Sequence, residues 1–386
     1  MATTTIVSGV QYSGIWNISS QANAKGANTW PVVGPALYTW GSNSGGVFGN
    51  LGLGDTIPRS SPTQVGSLIN WSSVSGFYHA IAVKTDGTLW SWGAPTSGAL
   101  GLGNLTDYSS PVQIGSLGTW YVVSGGRSNS FSIKTDGTLW AWGKNNYGQL
   151  GLGNRTNYSS PVQVGALTSW LKITAGQYHT GAIKTDGTLW VWGEGDSGRL
   201  GLGNTTDYSS PKQVGSLTNW LSVACGTYHT TSVKTDGTIW SWGNNTNGEL
   251  GLGNTTTYSS PKQIGALTAW ASSSNINNFV IAVKTDGTIW SWGNNTAGQL
   301  GLGNTTNYSS PKQIGALTVW TTQAVGGTAY SRAIKTDGTL WVWGNNTSGR
   351  LGLGNTTYYS SPKQVGSSTS WLTVSTTYNY TAATRT

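Results

Sequence analysis

Three histidines, His79, His179 and His229, are the first residues of this 386-residue chain that could do chemistry. A neutral-range imidazole can act as base, acid or metal ligand. Each of the three follows a tyrosine and stands five residues before a lysine, so they are one position written three times. Elsewhere that position holds Asn129, Phe279, Tyr330 and Tyr380. A metal site or a catalytic base needs a convergent set of partners, and a place that accepts Phe and Asn does not provide one. Structural histidine is the expected role. The carboxylates lead to the same end. Of 12 acidic residues six belong to a repeated Asp-Gly, leaving Asp55, Asp107, Glu194, Asp196, Asp207 and Glu249. Glu194 and Asp196 could share a cation from one loop, but a solvated loop is the expectation. The lone Cys225 excludes an internal disulfide and reads as a small buried residue. Leu-Gly-Leu-Gly-Asn precedes no helical pattern and so lacks a phosphate cradle. The recurrent Asn-x-Thr, at Asn104, Asn154, Asn204, Asn254, Asn304 and Asn355, reads as turn-forming Asn rather than as a glycan acceptor. No catalytic residue, metal or cofactor is expected, and no enzyme.

The positions that held the histidines belong to a repeat. Lys-Thr-Asp-Gly-Thr begins at Lys84, Lys134, Lys184, Lys234, Lys284 and Lys335, and Leu-Gly-Leu-Gly begins at Leu51, Leu100, Leu150, Leu200, Leu250, Leu300 and Leu351. A period near 50 residues is that of a propeller blade. Within one copy, Asp236-Gly237 predicts a type I′ hairpin turn. The flanks alternate, so Trp240 and Trp242 share one side of a strand while Ile239 and Ser241 share the other. Trp220–Val223 and Pro261–Ile264 supply further short strands, with the Gly- and Asn-rich stretch from Gly243 to Gly253 as a loop. Four strands per copy and no helical period describe an all-β chain of seven blades, whose faces are buried only by neighbouring blades.

The ends of the repeat predict how the ring closes. Trp371 to Thr386 align without a gap on Trp220 to Thr235, and Ala36 aligns on Thr238. One blade is therefore expected to combine C-terminal and N-terminal strands, leaving no open sheet edge. Residues 34–386 form the seven-bladed β-propeller on this reading. Residues 1–33 do not match the repeat and are expected to be a cap or an attachment segment.

The run D-G-T-[LI]-W-x-W-G-x-N-x-x-G-x-L-G-L-G-N, with Ala175 to His179 upstream, resembles the repeat of the regulator of chromosome condensation family over about nine-tenths of the chain. That resemblance implies a seven-bladed propeller. It carries function less readily, because one fold hosts many functions. The family's Ran GTPase exchange activity depends on a wedge protruding from one blade, and no copy here holds a long insertion, so exchange is not expected. Near-identical Gly-, Asn- and Thr-rich copies behind such a leader also look like the propeller proteins of tailed bacteriophages.

Composition narrows the partner. Charged residues are 8% of the chain, against about 25% in ordinary soluble proteins. The net charge is +8, and Lys212, Lys262, Lys312 and Lys363 place one lysine per blade along a sparse arc. Nucleic-acid surfaces cluster basic residues densely, so nucleic acid is not the expected partner. No apolar run spans a membrane, and the N-terminus lacks a signal-peptide pattern. Synthesis in the cytoplasm is expected, with association to a virion suggested by the charge-poor surface. Two places differ from copy to copy: the loop after Trp-Gly, and the turn before the repeat Lys. Tyr147, Arg127, Asn129, Gln177, Tyr178, Asn277 and Tyr330 in these places are the candidate binding residues. They suit a protein partner, such as a virion or host-surface component, with a glycan as the alternative. The functional expectation is a non-enzymatic scaffold: a virion structural or decoration protein, or else a free binding module, with chromatin or GTPase regulation a distant third.

Overall fold

A computed structural model describes residues 34–43, 49–275, 277–375 and 377–386. The 1–33 segment, expected as cap or attachment, and the middle of the loop after Trp40 lie outside the described residues. The rest forms seven four-stranded antiparallel sheets. The first in chain order shows the plan. Trp71–Gly76 pairs with His79–Lys84, which pairs with Leu89–Gly93, which pairs with Tyr108–Gln113. The first strand of every sheet lines a central cavity of about 340 Å³, through residues such as Val74, Ser124, Thr174, Val223, Ser274, Gln323 and Val374. The fourth strand lies at the rim, where Tyr-Ser-Ser-Pro recurs half-buried to exposed. Proline is tolerated there because no further strand needs its missing N–H.

The Asp-Gly turn is a hairpin, but not of type I′. Only its glycine has positive φ, +77° at Gly87, and Asp86 does not. Gly87 N donates to Lys84 O at 2.9 Å, and Lys84 N donates to Thr88 O at 3.0 Å. That is a type I turn closed by a glycine bulge, a three-residue loop. The aspartate has a different task from the one the dipeptide suggested. Asp86 Oδ1 accepts from Thr88 N at 2.9 Å and Thr88 Oγ1 at 2.6 Å, and Thr88 Oγ1 in turn accepts from Trp90 Nε1 at 2.8 Å. The relay recurs in all six Asp-Gly hairpins, and it fixes the first tryptophan of each third strand.

Why tryptophan at all? The seven hydrophobic clusters each span one blade-to-blade interface. Trp242, for instance, packs among Ile183, Leu189, Val191 and Leu200 of the preceding blade, while Ile239 of the same strand packs with Trp270 and Trp292 of the following one. The alternation seen in the sequence thus divides one strand between two interfaces. Burying a tryptophan's 150–250 Å² is worth about 4–6 kcal/mol as an upper bound, and no blade has the matching surface within itself.

Leu-Gly-Leu-Gly holds the interfaces together. The indole of Trp142 lies on Gly101 of the preceding blade, so closely that a Cβ there would stand 2.6 Å from Nε1. Trp142 Nε1 donates to Ala99 O at 2.9 Å, and Gly103 N donates across the same interface to Ser159 O at 2.8 Å. The glycine contact recurs at all seven interfaces, including Gly352 on Trp40. The glycines do make tight turns, as expected, but their further role is to admit the next blade's indole.

The seventh blade is composite, as the alignment of the ends requires. Ala36–Gly41 pairs with Tyr380–Arg385 in full register, giving the order Arg59–Gln64, Ala36–Gly41, Tyr380–Arg385, Trp371–Val374. In the other blades the repeat lysine covers two indoles, as Lys84 does Trp90 at 3.5 Å and Trp71 at 4.9 Å. Here Arg385 covers Tyr38 at 4.0 Å and Trp371 at 5.2 Å and donates to Tyr38 Oη at 2.8 Å. The one-residue insertion near Gly326 is absorbed as an irregularity within Trp320–Gly326.

Two glycine substitutions separate backbone strain from packing. Gly115 has φ +62° with nothing within 4 Å of an added Cβ, whereas Gly101 has φ +72° and meets the indole. Gly115→Ala should cost about 1–2 kcal/mol, and Gly101→Ala about 1–3 kcal/mol more, measured by denaturant unfolding. Equal losses would show that the indole contact does not hold the blades.

Candidate functional site

Strand direction places both variable regions on one face. The turn between first and second strands and the loop after the third strand leave the sheet at the same end, because His79 pairs with Gly93. Backbone bonds tie them: Lys144 N donates to Ser128 O at 2.8 Å and Glu194 N to Tyr178 O at 3.1 Å. The Asp-Gly hairpins occupy the opposite face.

On the variable face one repeat position forms a closed belt around the end of the central cavity. Its seven occupants are Phe77, Arg127, Gln177, Thr227, Asn277, Thr328 and Tyr378. Six of them reach the next blade directly, and Phe77 does so through its neighbour Tyr78. Thr227 Oγ1 donates to Asn277 Oδ1 at 2.9 Å, Asn277 Nδ2 to Thr328 O at 3.0 Å, and Thr328 Oγ1 to Tyr378 O at 2.8 Å. The Tyr378 ring meets Phe77 with centroids 4.6 Å apart. In the amide orientation that satisfies both its atoms, Gln177 accepts from Arg127 and donates to Thr227 Oγ1 at 3.0 Å. Arg127 stands 5.5 Å from the Tyr78 ring centroid, which joins it to the first blade, and donates to Tyr178 Oη at 2.7 Å.

The belt has two unlike halves. From Tyr378 through Phe77, Tyr78, Arg127, Tyr178 and Tyr147 to Tyr228 and Arg199, aromatic rings cluster around two guanidiniums. Tyr147 packs edge-on to Tyr178 at 5.6 Å, and Tyr178 lies 6.3 Å from Tyr228. Arg199 stands over Tyr228 at 5.0 Å and is ion-paired to the buried Glu194. Asn277 and Thr328 continue the circle with amide and hydroxyl groups alone.

Five of the seven candidate residues meet here: Arg127, Gln177 and Asn277 on the belt, with Tyr178 and Tyr147 beside it. Two do not. Asn129 is 1% exposed and Tyr330 0%, both at the histidine position inside the blade interface. A side chain there cannot touch a partner. Each stands two residues past the belt residue of its copy, Asn129 after Arg127 and Tyr330 after Thr328, where other copies hold histidine. Tyr78, Thr227, Tyr228 and Tyr378 were missed, although comparing the same position across all seven copies would have found them.

The histidines are wholly buried. His79 Nε2 bonds Ser130 Oγ of the next blade at 2.6 Å and His179 Nε2 bonds Thr230 Oγ1 at 2.8 Å. Burial depresses His79 to about 4 and His229 to about 3, so both are neutral interface spacers at pH 7. Burial likewise pushes the Cys225 thiol up to about 12. Glu194 is not in a solvated loop: its carboxylate goes to Arg199, away from any shared cation with Asp196. The Asn-x-Thr asparagines do form turns, Asn204 Oδ1 accepting from Thr206 N at 3.0 Å while Nδ2 donates to Tyr208 Oη at 3.3 Å. The lysine arc is spread out, each Lys over a rim tyrosine such as Lys212 on Tyr208 at 5.4 Å.

Comparison with known families settles the kinship. The RCC1-like domain model matches residues 24–276, more than half of the chain. The chain belongs to this RCC1-like family. Regulator of chromosome condensation (RCC1) repeats match further at 286–334 and 337–384. Among solved structures, human WBSCR16 is similar with a TM-score of 0.81 at 20% identity, over 91% of this chain and 99% of that one. Prp20p from Saccharomyces cerevisiae gives 0.81 at 19% identity, covering 92% of each chain. Yeast RCC1 (Prp20) in its structure with Kap60 gives 0.79 at 18% identity, over 100% of this chain and 96% of that one. At these identities the likeness shows the RCC1-like fold.

One loop residue on this face reports on pH. Glu249 takes the place that Gln149 and Gln299 hold in other blades. It is fully buried, Oε2 accepts from Asn247 N at 2.7 Å, and Oε1 lacks a partner. Burial, against the pull of the backbone N–H groups, raises its pKa to about 7 from 4.5. A carboxyl raised on folding favours the native state while protonated, and that advantage is lost as pH rises from 4.5 through 7. Glu249→Gln should therefore stabilise the protein by up to about 3 kcal/mol at pH 8 and by far less at pH 4.5. Unfolding curves at the two pH values check this, and a pH-independent difference would contradict it.

Proposed function

We propose that this RCC1-like propeller is a non-enzymatic scaffold that binds a protein partner through its variable face, at the aromatic and arginine half of the belt. The observation that supports it most is the convergence of Arg127, Tyr178, Tyr147, Tyr78 and Tyr228 on one rim. Tyrosine and arginine dominate binding hot spots, because they offer large rigid contact area and planar donors. They stand here on a face whose backbone is held by every blade. Yeast Prp20p binds Gsp1p and histones, and yeast RCC1 binds Kap60, which makes protein recognition the shared theme.

A narrower form of the reading makes the scaffold a structural or decoration component of a tailed-phage virion in contact with the host surface. Its support is the near-identity of the repeats and their scarcity of charge. One experiment serves both levels: size fractionation of the native source, then cross-linking and mass spectrometry on the fractions holding this chain. The scaffold reading predicts a stoichiometric protein partner cross-linked to the variable face. It also predicts that R127A/Y178A weakens capture at least about tenfold, or 1.4 kcal/mol, while K212A at the rim does not. Migration with intact particles at a fixed copy number would favour the virion form. Equal capture by both variants would overturn the choice of face.

A further inference from the structure

The interface between the sixth and seventh blades holds two arginines without a counterion. Arg332 is 0% exposed and Arg350 7%. Both stack on Tyr330, at 4.5 Å and 5.6 Å from its centroid. Arg332 donates only to neutral oxygens: Thr377 Oγ1 at 3.0 Å, Thr381 Oγ1 at 3.2 Å, Tyr380 O at 3.4 Å and Gly326 O at 3.4 Å. Its Nε is buried with no hydrogen-bond partner among the described residues. Among the described residues neither arginine takes part in an ion pair, and the remaining residues of the chain include no Asp or Glu.

The chain carries its own control. Arg199 occupies in the third blade the place of Arg350, with the same local bond: Nε donates to Asp196 O at 2.9 Å there, and Arg350 Nε to Thr347 O at 2.9 Å here. Arg199, however, is neutralised by Glu194 of its own loop. The residue equivalent to Glu194 is Asn345, whose Oδ1 is taken up by Thr347 N at 2.9 Å. The second arginine has no equivalent in the third blade either, since Gly181 stands at the position of Arg332. One interface is thus a balanced pair, and the other carries two positive charges with the carboxylate left out. Buried uncompensated charge is costly, and a ligand that supplies the missing counterion recovers that cost.

We propose that the junction of the sixth and seventh blades is an anion site that takes a carboxylate, presented by an acidic side chain of a protein partner, against Arg350 with Arg332 beneath it. Tyr358, half exposed, hydrogen-bonds Thr347 beside Arg350, and Tyr378 stands near enough to interact with its guanidinium. The inference rests on the scaffold reading for the origin of the carboxylate, and on this chain alone for the site. Carboxylate and phosphate share the charge that two guanidiniums would recognise, and the test separates them.

The thermal midpoint of the full chain would be followed with acetate, inorganic phosphate or hexaglutamate, each matched to chloride at equal ionic strength. The wild type should gain a saturable stabilisation from the carboxylates, with hexaglutamate acting at lower concentration than acetate. N345E, which restores the carboxylate of the third blade, should melt higher and lose at least about tenfold in response to the same probes. E194N should acquire a second responsive site at Arg199. If N345E does not fold, R350Q, which installs the residue found at Gln149 and Gln299, should also lose the response. Equal responses in wild type and these variants, or none beyond chloride, would overturn the site, and a preference for phosphate would overturn its carboxylate assignment. Because small probes read the site directly, its failure stays distinguishable from failure of the partner-binding face at Arg127 and Tyr178.

Discussion

Everything in this ring depends on how closely an indole can approach a glycine of the blade before it. The first glycine of each Leu-Gly-Leu-Gly presents bare backbone to Trp40, Trp92, Trp142, Trp192, Trp242, Trp292 or Trp343. In six of the seven the indole Nε1 also reaches a carbonyl two residues earlier, from Asn50 O to Gln299 O at 2.8–2.9 Å. The contact joins apolar burial to a hydrogen bond that only the correct docking of two blades can make. Any side chain at the glycine would hold the blades apart and lose both at once.

That constraint explains the monotony of the sequence and where it relaxes. Residues in the interface are set by their neighbours on both sides, so each copy repeats the last. The belt residues are bound to each other by contacts that tolerate many chemistries, a ring on a ring or an amide on a hydroxyl, and they differ freely. The belt is therefore a place where the ring tolerates variety, and the proposed recognition face makes use of it. The seventh blade shows the frame surviving a change of residues, with Arg385 and Tyr38 in place of the lysine and tryptophan used elsewhere.

Much of this was legible in the residues. The period, the alternation around Trp240 and Trp242, and the alignment of Trp371–Thr386 on Trp220–Thr235 sufficed for the blades and their closure. Arg127, Gln177 and Asn277 were found because they vary. What escaped was local geometry that two conformations satisfy equally well: Asp-Gly suits a type I′ turn and a bulged type I turn alike, and a threonine two residues beyond the aspartate decides nothing by itself. Asn129 and Tyr330 vary inside the molecule instead: they stand at the histidine position, where the second strand has already entered the blade interface. The lysine over the paired indoles was also hidden, since its nearest charge in sequence is the hairpin aspartate. The buried Nε1 groups of Trp71 and its six counterparts have no oxygen or nitrogen acceptor among the described residues. They lie edge-on among other indoles, where an aromatic face is the available acceptor.

The central claim is that interlocking indoles and a composite blade turn seven similar units into one cooperative ring. An open stack of repeats loses its ends first, with stability graded along the chain. Hydrogen exchange of the indole N–H groups of Trp92, Trp142, Trp192, Trp242, Trp292 and Trp343 would test this most directly, because each sits in a different interface. A closed ring predicts one common opening free energy for all six, equal to that of global unfolding. Protection that is highest in Trp192 and Trp242 and falls away toward Trp92 and Trp343 would contradict it.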